Sequence, residues 1–113
     1  MSADIPAIGA LRDRVRLFHK DMMAEPEGGN QSVYMPLATV WARVHTRPAG
    51  RSEFADARGT ATTHTVVMRF RTDLAAGDRI TCRGRVLDVL SVEDLNGKRA
   101  FITCACAETT VTA

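Results

Sequence analysis

The chain has 113 residues, which fits one domain with one hydrophobic core and leaves little room for a deep enzyme cleft as well. At 45% hydrophobic and 25% charged it reads as an ordinary globular protein, and no run approaches the roughly 18 apolar residues of a membrane span, so no membrane role is expected. The net charge of +2 does not call for nucleic acid.

Thirteen of the cations are arginine, with only Lys20 and Lys98 as lysine. Arginine pairs with carboxylates through a planar fork and is favoured at interfaces. A surface built for docking would carry this bias, and so would a GC-rich genome. Met1 to Ala10 shows no basic stretch followed by an apolar one, so a secretion signal is not expected and the protein should act in the cell that makes it.

Arg12 to Phe18 alternates. Asp13, Val15 and Leu17 share one face, and Arg12, Arg14 and Arg16 share the other. This predicts a half-buried strand with an arginine-studded solvent or partner face. Residues 21–32 hold Pro26, Gly28, Gly29, Asn30 and Ser32 and read as loop, so 20–36 is expected to be flexible. Leu37 to His45 is a second strand. Val40, Ala42 and Val44 face the core, while Trp41, Arg43 and His45 face outward. An outward tryptophan needs cover. The expected cover is the 20–36 segment, through Met22 or Tyr34, or a neighbouring subunit.

The alternation breaks from Thr46 to Thr62, which is expected to be one long loop. Pro48 and Gly50 open it. Ser52 is placed to cap a short helix, with Glu53 and Asp56 in its first turn and Gly59 at its end. Phe54 is its one large apolar residue, so the segment is too polar for a core. It is either a mobile loop or a segment that awaits a partner.

Thr63 to Arg71 is the clearest strand, with His64, Val66, Met68 and Phe70 on one face. Ala75 to Asp78 is a turn. Arg79 to Arg83 and Arg85 to Glu93 form a hairpin around Arg83-Gly84. Val86 to Leu90 is apolar on both faces except at Asp88, as in a central strand. Asn96-Gly97 is the strongest short hairpin signal. Arg99 to Glu108 is the last strand, and residues 109–113 form a tail. The chain therefore reads as a single all-β domain over residues 1–113. Its expected form is a small antiparallel barrel or sandwich of about six strands, with one long loop.

The residues offer little chemistry. Cys82, Cys104 and Cys106 are odd in number and lie in apolar runs, so buried reduced thiols are expected. They lack the paired spacing of a zinc site. His64 reads as a core or rim histidine and His45 as exposed. No nucleophile motif or phosphate loop is present. No catalytic, cofactor-binding or metal-binding residue is expected. A single-strand nucleic-acid barrel would need exposed aromatics among its arginines, and most aromatics here have core roles. A small Cys- or His-dependent enzyme would need a pocket that joins a cysteine to a histidine.

Five stretches, in order, resemble one family. The first is Ile8-Gly9-Ala10-Leu11-Arg12-Asp13-Arg14-Val15-Arg16-Leu17. Next comes Ala38-Thr39-Val40-Trp41-Ala42-Arg43-Val44, followed by Gly50-Arg51-Ser52-Glu53-Phe54. Then come the strand Thr63 to Arg71, and a closing run from Gly77-Asp78-Arg79-Ile80 through Gly84 to Val89 and the Asn-Gly hairpin. Together they are similar to the head–tail joining proteins of tailed phages, also called head-completion or stopper proteins. The match spans residues 8–108. It departs from the family at 20–36, where Met22, Met23, Glu25 and Glu27 stand, and in the Thr-rich tail.

The resemblance implies a structural protein, not an enzyme. It implies a barrel that is monomeric when isolated and joins a homo-oligomeric ring of about a dozen copies in the virion neck. Made in the bacterial host cytoplasm, the ring would bind an adaptor or portal-side protein. It would close the channel on the end of the packaged DNA and offer a surface to a tail-side protein. The long loop would face the channel, with Arg47, Arg51 and Arg58 near DNA, Glu53 and Asp56 pairing between neighbours, and Phe54 as packing anchor. Trp41, Arg12, Arg14 and Arg16 are interface candidates. A tail-completion or tail-terminator ring on a related barrel is the near alternative.

Overall fold

The computed structural model describes residues 11–46 and 62–109. Alternating side chains become an inside and an outside. Six strands form: β1 (Asp13–Ala24), β2 (Asn30–Thr46), β3 (His64–Arg69), β4 (Arg79–Cys82), β5 (Arg85–Asp94) and β6 (Phe101–Thr109). They close into one antiparallel barrel in the order β1-β2-β3-β6-β5-β4. The small antiparallel barrel expected from the sequence is the fold found.

The predicted inward sets hold. Val15 and Leu17 of β1 and Val66 and Met68 of β3 are buried in the barrel core; on β5, read as apolar on both faces, Leu87 and Val89 are buried and Val86 and Leu90 half-buried. Ala42 joins them, with Val40 and Val44 packed at the margin. A second, smaller cluster lies outside the barrel wall. There Leu95 covers Val67 and Phe101, with Leu11 packed against them.

The segment 20–36 is not a loop. β1 runs on to Ala24 and pairs with residues that follow Asn30, so the segment is the outer part of a long hairpin arm. Only residues 25–29 make the turn, closed by Glu25 N–H donating to the Gly29 carbonyl at 2.7 Å. Composition suggested a loop because both faces of the arm are largely solvent-exposed, so no buried face imposes alternation. A bulge between Leu17 and Phe18 marks where the arm leaves the barrel, with Leu37 the extra residue on β2.

Asp78 fastens the base of the arm. It is 2% exposed. Its Oδ1 accepts from the Lys20 amide at 3.0 Å and lies 3.1 Å from His19 Nδ1. Its Oδ2 accepts from the Ala75 amide at 2.9 Å. On the outer side Arg79 stacks on Tyr34, 4.0 Å from the ring centre, and bonds Asp88 at 2.8 Å. Thr109 also bonds Asp88.

The Arg83-Gly84 hairpin forms as expected. Both residues take left-handed φ, 54° and 79°, as a two-residue type I′ turn requires. Asn96 and Gly97 are also left-handed, at 58° and 68°, yet they do not make a two-residue loop. They sit in a 3-10 turn, Leu95–Gly97, within a longer link, and β6 starts at Phe101. Burial of Leu95 draws the chain in before it can turn back.

Candidate assembly surfaces

One barrel end anchors the 46–62 segment. Thr46 closes β2 opposite His64 of β3. Thr63 donates its amide to the Cys106 carbonyl at 2.8 Å. Its hydroxyl oxygen accepts from the Glu108 amide at 2.7 Å and sits 2.9 Å from His64 Nδ1. Around this mouth Arg83 pairs with Asp13 at 2.6 Å, and Asp13 also accepts from the Val44 amide at 3.0 Å. Arg85 lies 3.6 Å from Glu108. The rim is a ring of charge on a rigid base. Arg47, Arg51, Glu53, Phe54, Asp56 and Arg58 lie outside the described residues.

The second surface is on the barrel wall. Arg14 of β1 pairs in register with Trp41 of β2, its guanidinium 5.8 Å from the ring centre. Trp41 and Arg69 of β3 line one shallow groove, with Leu11 and Arg12. Arg16 stacks on Phe18 at 5.6 Å. Trp41 is 55% exposed, so the expected outward direction is right. The expected cover within the chain is not: Met22 pairs with Ser32 and Tyr34 with Lys20, well out along the arm. With so much of its ring in water, Trp41→Ala should change folding free energy by less than about 1 kcal/mol. Urea unfolding checks this; a loss of several kcal/mol would mean that the ring supports the fold.

The thiols are poor nucleophiles. All three are free and buried. Burial pushes each thiol up, Cys104 to about 12, whereas an attacking cysteine needs a lowered value. His64 is buried beside Thr63, with Glu108 3.9 Å from its Nε2, and is the rim histidine expected. Among the described residues no three His, Cys, Asp or Glu side chains cluster as a metal site would.

The profile of phage head completion proteins matches residues 6–109. This chain belongs to the phage head completion protein family. Solved structures share its fold. It is similar to protein SF1141 from Shigella flexneri 2a, at 25% identity and a TM-score of 0.68, covering 89% of this chain and 95% of that one. It is similar in fold to a chain from the virion of a native gene transfer agent particle, at 19% identity and a TM-score of 0.65, covering 89% and 97%. A search of curated proteins gives no match. The family places this chain among the structural proteins of phage particles.

Sequence reasoning missed the arm, Asp78 and the Arg79–Tyr34 stack. Asp78 beside Gly77 reads as an ordinary turn residue. Its buried acceptor role depends on Lys20, 58 positions away, and no local signal carries that.

Proposed function

We propose that this protein forms a neck ring that closes the DNA exit channel after packaging and offers the tail its docking surface. The family match is the observation that carries the reading. The fold supports it. The strands of the barrel proper are closed on one another, so docking falls to its wall, its loops and the protruding arm. The 46–62 segment starts and ends at one mouth, on strand ends tied by Thr63. A fold neighbour drawn from a virion agrees with a place in a particle.

In this reading the segment bearing Arg47, Arg51 and Arg58 faces the channel. Repeated around a ring, these arginines would meet the phosphates at the end of the genome. Phe54 packs between neighbours, and Glu53 and Asp56 pair across them. The ring seats beneath the adaptor and portal on one side and receives the tail on the other. Each copy is a monomer until that platform gathers it.

Removing Arg51 to Arg58 should leave the barrel folded, because loop closure depends only weakly on length. Particles carrying the deletion should bind the protein in the neck and leak DNA. Encapsidated DNA in purified particles is the readout. Full DNA with complete tail attachment would make the protein a passive spacer or a tail-side ring.

A further inference from the structure

The arm and the Trp41 face are both exposed, and their chemistries are complementary. Beyond Asp78 the arm continues with Asp21, Val33, Met35 and Met23 along the side that extends the barrel's inner face. Met23 and Met35 are 56% and 51% exposed. Residues 20–36 carry Asp21, Glu25 and Glu27 against the single cation Lys20. The wall surface has the opposite sign. Trp41 lies between Arg14 and Arg69, with Arg16 one outward position along β1. Arg14 and Arg16 each stack on an aromatic ring, and among the described residues neither is seen paired with a carboxylate.

These two surfaces cannot meet within one chain. Arg14 and Met23 sit nine residues apart on the same continuous strand, about 30 Å at ~3.3 Å per residue. The arm's base is fastened by Asp78 and by the Arg79–Tyr34 stack, so the arm does not fold back. A contact between them is therefore between copies. Repeated in one sense around an axis, a contact between two different surfaces is head-to-tail, and it makes a ring where the rotation closes.

We propose that the arm of one copy lies on the Trp41 face of the next. Met23 and Met35 seat against the indole, a favoured sulfur–aromatic contact. Asp21, Glu25 and Glu27 approach Arg14, Arg16 and Arg69. This deepens the ring reading and rests on it for the number of copies that close. The contact is weak between free copies and becomes effective when a platform holds them side by side.

The test uses the full chain. A Glu27→Cys chain carrying a nitroxide on the new thiol is mixed, unlabelled, with the nitrogen-15-labelled parent. The native thiols are buried, and the parent treated with the same reagent is the control. At millimolar concentration, the signals of the Trp41 indole and of Arg14 and Arg69 should lose most of their intensity. Arg14→Glu with Arg16→Glu in the observed chain should abolish the loss. Adding Asp21→Lys and Glu25→Lys to the nitroxide chain should restore it. Broadening confined to the arm would mean that arms pair with arms. Broadening elsewhere, or none at all, would also overturn the proposal. None of these results bears on DNA retention, which the loop deletion reads separately.

Discussion

Asp78→Ala should destabilise the protein by about 3 kcal/mol and free the base of the arm. The carboxylate is nearly without solvent and accepts from two backbone amides, Lys20 and Ala75, besides facing His19. Hydrogen bonds to a charged group each contribute about 1.5–3 kcal/mol, and removing the acceptor leaves two donors unsatisfied. Asp78→Asn keeps one oxygen but turns an amide toward the other N–H, so it should recover less than half of the loss. Urea unfolding gives the magnitude. Hydrogen exchange at the Lys20 amide reports the arm itself. If the alanine variant unfolds within about 0.5 kcal/mol of the parent, the carboxylate does not hold the arm.

Alkali should unfold the protein through its thiols. Burial lifts Cys104 from 9.0 to about 12, and burial with the nearby Cys104 and Asp88 lifts Cys106 further. In the unfolded chain both ionise near 9, while in the folded barrel they stay neutral. Their stabilising contribution is therefore complete below about pH 9 and is lost as pH rises toward the folded values. Each pH unit in that window costs about 1.4 kcal/mol per thiol. By pH 11 the two together should remove on the order of 5 kcal/mol, comparable to the whole stability of a small domain. The double variant Cys104→Ala, Cys106→Ala should be less stable at pH 7, because it leaves a cavity. Its stability should nevertheless fall less steeply between pH 9 and 11. Equal slopes for parent and variant would show that other groups drive alkaline unfolding.

The sequence was most legible where a buried face imposed a two-residue period. Asp13-Val15-Leu17 and His64-Val66-Met68 could be assigned because the barrel interior takes the apolar members of every second position, with the polar Asp13 and His64 placed at the mouth. Arg83-Gly84 was legible because its turn geometry demands left-handed residues. The arm was not legible. Its residues are strand residues only because β1 pairs with β2 there, Met22 with Ser32, Met23 with Gln31 and Lys20 with Tyr34, and neither face is buried in the chain. Trp41 shows both cases. Alternation gave its direction, but its surroundings depend on Arg14 and Arg69, which other strands supply. The channel-facing residues proposed for 47–58 rest on resemblance and await the deletion experiment.

The barrel's narrowest seam lies between its first strand and its fourth. β1 meets β2 through twelve residue pairs, but meets β4 through three, Arg16 with Thr81, Leu17 with Ile80 and Phe18 with Arg79. A hairpin such as β1–β2 forms within microseconds, long before a ribosome delivers residues 79–82. During that interval β1 is an open edge able to pair with any passing strand. Arg12, Arg14 and Arg16 stand along that edge, and like charges on two approaching copies repel. The arginines proposed to receive a neighbouring copy would thus also guard the nascent chain against aggregation.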